Sequence, residues 1–182
     1  MTYLQDGLAR LRALEPEDLD FLYRIENDTS LWQSGSTLTP LSRYTLREYI
    51  SAAVGSTIYE MKEARFVVEC RSDGRPVGLV DLFDFDPYHR RAGVGVVTDR
   101  PFQRQGYASA ALNLLCEYSF GFLQLHQLYA QVACDNAASL ALFRGAGFIP
   151  AGQWKDWIRT PDGYADVCLL QRISGRSSQE AR

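Results

Sequence analysis

The longest apolar stretch of the chain, residues 108–125, constrains the fold most. It contains Asn113 and Glu117, and Ala108, Ala111, Leu112, Leu115, Cys116 and Ser119 recur at helical spacing on one face. Those interruptions and that period make it a core helix, since a membrane span needs about 20 predominantly apolar residues. A helix with such a stripe must bury it against another layer. Residues 91–98 before it and 128–132 after it read as strands that supply one.

The rest of the chain supplies further elements. Residues 8–14 alternate apolar and polar and read as a strand. Pro16 opens a helix with Glu17 and Asp18 in its first turn, where carboxylates complement the helix dipole. Leu19, Leu22 and Tyr23 give it a buried face. Residues 27–40 read as a polar loop, and a second helix is expected from near Ser42, with Leu46, Tyr49, Ile50 and Ala53 on one stripe. Residues 66–70, 77–85 and 91–98 are strands joined by two short turns, which predicts an antiparallel meander. After the long helix come the strand at 128–132, a short helix at 137–144 and a glycine-rich exit at Gly145 and Gly147. Residues 154–158 and 167–171 form a closing hairpin around Thr160-Pro161-Asp162-Gly163. The order predicts one mixed α+β domain over residues 1–173, without internal repeats, and a disordered polar tail at 174–182.

Composition bounds the partners. A chain of 182 residues with 46% hydrophobic content can bury one core and is short for two. The formal charge is -3 with both signs interspersed, and no basic block points to nucleic acid. Cys70, Cys116, Cys134 and Cys168 are scattered with no C-x-x-C pair, and read as buried reduced thiols rather than metal ligands or disulfides; no metal site is expected. Reduced thiols, and an N-terminus without an apolar signal core, predict a soluble cytoplasmic protein.

The chemistry concentrates where the third meander strand meets the long helix, Val94 to Ala110. The first amides of a helix lack internal partners, and the helix dipole adds partial positive charge there, so the loop is an anion cradle suited to a pyrophosphate. The cradle comprises Gln103, Arg104, Gln105, Gly106, Tyr107, Ala108 and Ser109. Gly106 lets a ligand approach the backbone, Ala108 keeps the wall low, and Arg104 can add a charged hydrogen bond.

Gln103 to Ala108 resembles the Q/R-x-x-G-x-G/A coenzyme A motif of the GCN5-related N-acetyltransferases, or GNAT superfamily. Asp135-Asn136-Ala137-Ala138-Ser139, then Leu142-Phe143 and Gly145-Ala146-Gly147-Phe148, resembles the second hallmark of that family. The resemblance implies a mostly antiparallel twisted sheet with one splayed strand pair and flanking helices. It implies acetyl-CoA as co-substrate and an amine that attacks the thioester directly in a ternary complex. The strand carrying Val96, Val97 and Thr98 would pair its backbone with the pantetheine arm, and amides near Val96 or Val97 would stabilise the oxyanion. Asn136 would bond the pantetheine amides, with Ser139 beside it. Many members carry a tyrosine, which protonates the leaving thiolate, where this chain has Phe143. Tyr129, Tyr107 or water is then left to substitute. A homodimer or higher homo-oligomer is also implied.

The acceptor amine is expected near Asp81, Asp84, Asp86 and His89. Strand alternation puts Asp84 and Asp86 on one face and Asp81 on the other. A positioned carboxylate, or His89, can draw a proton from an amine. Trp32, Trp154, Trp157 and Tyr164 are candidate pocket walls. Arg65 to Cys70 and His89 to Ala92 resemble bacterial spermidine N-acetyltransferases, so a small cationic amine such as a polyamine is the expected acceptor. The closing hairpin resembles the ribosomal-protein N-terminal acetyltransferases, so a peptide N-terminus is the alternative. A non-catalytic coenzyme A-binding module is the competing class. The acidic effector segment of the spermidine enzymes is replaced by Glu26 and Asp28 followed by neutral Ser34-Gly35-Ser36-Thr37, so polyamine control there is not expected.

Overall fold

The computed structural model describes residues 3–32 and 38–175, so Ser34 to Thr37 and most of the expected polar tail lie outside the described residues. Strand β1 (Ala9–Ala13) leads to a 3-10 turn at Pro16–Asp18 and helix α1 (Leu19–Glu26). Helix α2 (Arg43–Gly55) starts at Ser42, whose hydroxyl accepts from the Thr45 N–H at 3.0 Å. A one-turn helix, α3 (Ile58–Met61), follows; the sequence pattern missed it because four residues are too few to show a period. Strands β2 (Ala64–Cys70), β3 (Pro76–Asp86) and β4 (Arg91–Thr98) form the antiparallel meander. Helix α4 (Tyr107–Glu117) continues as a π turn at Tyr118–Phe122 and accounts for most of the long apolar stretch. Strand β5 (Gln127–Ala133), helix α5 (Ala137–Gly145) and the strands β6 (Ile149–Thr160) and β7 (Gly163–Ile173) complete the chain.

Among the described residues seven strands form one sheet in the order β1-β2-β3-β4-β5-β7-β6, antiparallel at every junction except β4–β5. Two apolar clusters sandwich it. On one face Val80, Leu82, Val94, Leu128, Ala130 and Leu170 pack with Ala111, Leu112 and Leu115 of α4. On the other, Val67 and Leu79 pack with Phe21, Leu22 and Ile25 of α1 and Leu46 and Ile50 of α2. Arg12 fastens that second layer: its guanidinium bonds Asp18 at 2.7 and 2.9 Å and Glu69 at 2.6 Å, joining the 3-10 turn to β1 and β2. Among the described residues no helix is long and apolar enough to cross a membrane.

One expectation from composition is overturned. Cys134 and Cys168 are joined in a disulfide, with Cα atoms 5.3 Å apart; only Cys70 and Cys116 are free and buried. The two residues are 34 apart in sequence, and the β5–β7 pairing brings them together. The cysteines therefore no longer argue for a reducing cytosol.

Gly93 illustrates how the sheet dictates composition. A Cβ there would lie 2.2 Å from the Phe83 ring, whereas one on Gly95 would meet nothing closer than 3.9 Å. We expect Gly93→Ala to destabilise the protein by about 1–3 kcal/mol through overpacking, and Gly95→Ala to cost much less. Urea unfolding midpoints at constant m would show it; equal losses would mean that the Phe83 ring moves freely.

Candidate active site

The parallel pairing of β4 with β5 lasts three rungs: Arg91 with Gln127, Ala92 with Leu128, and Gly93 with Tyr129. Beyond Gly93 the strands diverge, although β3 still holds β4 as far as Thr98 and β7 holds β5 as far as Ala133. The inner edge of β4 over residues 94–98 has no strand partner among the described residues. Backbone polar groups inside a sheet require partners, so this cleft suits a ligand rich in amides. Helix α4 follows β4 and helix α5 follows β5, which places both helix N-termini at the wide end of the cleft.

At the first of these starts, Gly106 has φ +89°, a left-handed conformation that glycine adopts without strain. A Cβ there would meet only a Leu8 methyl, at 3.4 Å. The first amide bond of α4 runs from the Ala110 N–H to the Gly106 carbonyl at 3.0 Å, so the preceding amides are left over. Arg104, also left-handed at φ +61°, stands exposed beside them. This arrangement fits a pyrophosphate. Gln103 and Gln105 shape the loop: their side-chain amides donate to the carbonyls of Thr98 (3.2 Å) and Pro101 (2.8 Å). Ala108 is half-buried and Ser109 exposed on the first turn. Tyr107 is different. Its side chain is buried and its hydroxyl donates to Cys70 Sγ at 3.1 Å, which raises the phenol. Only its backbone is at the helix start, and its hydroxyl is not placed to act as an acid.

At the second start, Asn136 caps α5, its Oδ1 accepting from the Ser139 N–H at 3.0 Å. Its Nδ2 keeps two hydrogens to donate. Phe143 is 5% exposed and packs edge-on against Phe148 at 5.2 Å, so its ring is part of the core and not a free wall of the cleft. Val96 packs toward the α4 layer and Val97 toward the α1 and α2 layer, leaving their backbones to line the cleft.

Of the carboxylates expected near an acceptor amine, Asp84 is the one that simple alternation misplaces. Pairing of β3 with β4 shifts between Phe83 and Asp86, and Asp84 takes a left-handed φ of +49°. Such a bulge re-aims its side chain. Asp84 is therefore turned to the Asp81 and Phe83 face, where its Oδ2 accepts from the Tyr129 hydroxyl at 2.9 Å. Phe83 meets the Tyr129 ring edge-on at 5.9 Å. Asp81 does not stand free as a base. Arg65 grips both its oxygens, at 2.9 and 3.0 Å, and also bonds Glu26 at 2.6 Å. Burial raises the Asp81 carboxyl, with Arg65 opposing. Tyr49 donates to Glu63 at 3.1 Å, and its ring lies 5.4 Å from the Arg65 guanidinium. The sequence reading missed Arg65, Glu26, Glu63 and Tyr49 as site residues. A usable signal existed: Arg65 and Glu69 share one face of β2 with buried Val67, and a charge on a buried face needs a partner across the strands.

The remaining candidates lie elsewhere. His89 sits exposed on the β3–β4 turn, four residues before Gly93 and at the closed end, where its N–H donates to Asp86 at 2.9 Å. Asp86 also pairs with Arg91 at 3.3 Å. Trp154 and Trp157 contact each other at 4.4 Å on β6, and Tyr164 is exposed on β7. Trp32 alone approaches the acidic face, donating to the Glu26 carbonyl at 2.8 Å. Asp28 is engaged by Arg100 at 3.1 Å.

A splayed strand pair with two helix starts at its mouth, in a mixed sheet of this order, defines a coenzyme A-dependent acyltransferase. The profile of the Acetyltransferase (GNAT) domain matches residues 9–149, and the chain belongs to that family. It is 33% identical over 150 residues, 79% of this chain and 74% of the other, to a spermidine N(1)-acetyltransferase of Escherichia coli K12. The crystal structure of a spermidine N-acetyltransferase from Vibrio cholerae with CoA and spermine superposes with a TM-score of 0.81, at 28% identity, covering 92% of this chain and 96% of that one. Another structure of the Vibrio cholerae protein is described as dodecameric; it covers 92% of this chain and 95% of that one, with a TM-score of 0.77 at 29% identity. Acetyl-CoA is thus the co-substrate, and the enzyme is an N-acetyltransferase.

Arg65→Met would leave Asp81 partly buried without the guanidinium that grips both its oxygens. We expect a loss of about 3 kcal/mol of stability, measured as a lowered urea midpoint. Full stability in Arg65→Met would mean that the carboxylate finds water or takes up a proton at no cost.

Proposed function

We propose that this enzyme acetylates a polyamine. The observation that carries the reading is the acidic face beside the closed end of the cleft. Glu26, Glu63, Asp81 and Asp84 bring four carboxylates there, and Arg65 is bonded to only two of them. A polyamine carries several separated charges, so one ammonium can rest against this face while another nitrogen, deprotonated, reaches the thioester. The relatives named for spermidine, and the one seen with spermine, support the same acceptor class.

In this reading the backbone of β4 over Val96, Val97 and Thr98 pairs with the pantetheine arm. Gln103 to Ser109 cradle the pyrophosphate, with Arg104 adding charge, and Asn136 and Ser139 meet the arm from α5. The amine attacks the thioester carbonyl directly. N–H groups of β4 that β5 leaves unpaired, near Val96 or Val97, stabilise the oxyanion. Assembly into a homo-oligomer belongs to the same reading, and a light-scattering mass of one copy would remove it.

Thiol release from acetyl-CoA tests the acceptor. We expect spermidine and spermine to exceed an alanine-starting peptide and an aminoglycoside by about tenfold or more in kcat/KM, equivalent to about 1.4 kcal/mol of transition-state preference. The KM for the polyamine should rise with salt, as screening weakens charge recognition. Preference for the peptide would overturn the polyamine assignment. Coenzyme A binding without turnover on any amine would overturn the enzyme reading for this chain.

A further inference from the structure

Acetyl transfer moves one proton from nitrogen to sulfur, so the leaving thiolate needs a donor. This inference rests on the N-acetyltransferase reading above. Phe143 has no proton to give, and the Tyr107 hydroxyl is buried against Cys70. The Tyr49 hydroxyl is occupied by Glu63 under α2. One phenol stands at the vertex of the cleft: Tyr129, on the last rung that joins β4 and β5.

We propose that Tyr129 protonates the departing coenzyme A thiolate and that Asp84 both positions the Tyr129 hydroxyl and returns a proton to it. Four features converge on this pair. The bulge in β3 holds Asp84 left-handed, at φ +49°, a conformation that non-glycine residues rarely adopt and that needs surrounding structure to maintain it. A hydrogen bond from the Phe85 N–H to the Lys62 carbonyl, at 2.8 Å, pins that bulge. The turned carboxylate accepts from Tyr129 at 2.9 Å. Phe83, whose ring lies where a Cβ on Gly93 would be, buttresses the phenol from the side.

The charges around the phenol agree. Burial and then Asp84 push the Tyr129 hydroxyl up to about 12, with Arg91 opposing, and its neighbour on β7 is the uncharged Gln171. The proton is therefore in place at any working pH. A phenol that weak would not by itself surrender a proton to a thiolate whose acid is near pKa 8.5. The bonded Asp84 removes the difficulty. The neutral amine attacks the carbonyl carbon, the N–C bond forms, and the surplus N–H proton passes to the Asp84 carboxylate. As the C–S bond breaks, sulfur takes the Tyr129 proton and Tyr129 takes the one held by Asp84. No free phenolate accumulates, and one proton has moved from nitrogen to sulfur.

The test is steady-state kinetics with acetyl-CoA and spermidine on wild type, Tyr129→Phe, Asp84→Asn and the double variant. Melting temperatures and coenzyme A binding establish that each is folded. Tyr129→Phe keeps the ring and its contact with Phe83. We expect kcat to fall on the order of ten- to a hundredfold in each single variant. The KM for acetyl-CoA should stay within about twofold, and the double variant should be no slower than the slower single one, as for residues acting as one unit. If Tyr129→Phe does not fold, Asp84→Asn alone carries the comparison, because Asp84 is exposed and Asn cannot relay the proton. A kcat within about twofold of wild type in the variants tested, or losses that multiply in the double variant, would overturn the dyad. Wild type inactive on every amine would instead overturn the N-acetyltransferase reading.

Discussion

The parallel pairing between β4 and β5 stops after three rungs, and the site depends on that interruption. Each strand remains anchored on its outer side, β4 by β3 and β5 by β7, so the gap persists inside an otherwise continuous sheet. Unpaired peptide groups in such a position call for a partner, and the amides of a pantetheine arm can supply one. The same divergence carries the starts of α4 and α5 to the wide end, where exposed helix amides suit a pyrophosphate.

Around this cleft the two layers divide the labour. The α4 layer is a dry core in which Leu112, Leu115 and Leu128 are fully buried. The α1 and α2 layer is mixed, because Arg12 and Arg65 fasten it to the sheet through carboxylates. Ion pairs at half-buried positions add modest stability but fix geometry, since each loses its desolvated partner if it shifts. The acidic face is therefore part of the scaffold before it is part of any binding site. Asp81 shows this best: a carboxylate beside the cleft, yet with both oxygens held by one guanidinium.

Phe143 stands where the family resemblance implies a tyrosine, and its ring is accommodated structurally. The ring joins Phe148 in the core, and the fold loses nothing by the missing hydroxyl. The proposed proton transfer is placed at the vertex of the cleft. There the β3 bulge, the Gly93 vacancy filled by Phe83, and Tyr129 lie side by side. The bare backbone of Gly93 accommodates an aromatic ring of the chain itself.

The sequence by itself determined the order and kind of nearly all the elements, because apolar periodicity and capping residues act locally: Ser42, Asn136 and Gly106 sit where a helix start requires them. It also determined the loop and helix start proposed as the coenzyme A cradle, which is one contiguous segment. What only the tertiary structure decided involves residues distant in the chain. Alternation placed Asp84 with Asp86, but a one-residue bulge, invisible to a period of two, turned it to Tyr129, 45 positions away. The Arg65 grip on Asp81 and the Cys134–Cys168 bond follow from strand register across the sheet, and the Arg65–Glu26 pair and the burial of Tyr107 against Cys70 follow from how α1 and α4 pack on it. Register is a property of the assembled strands: one step of slip exchanges every side chain between the two faces.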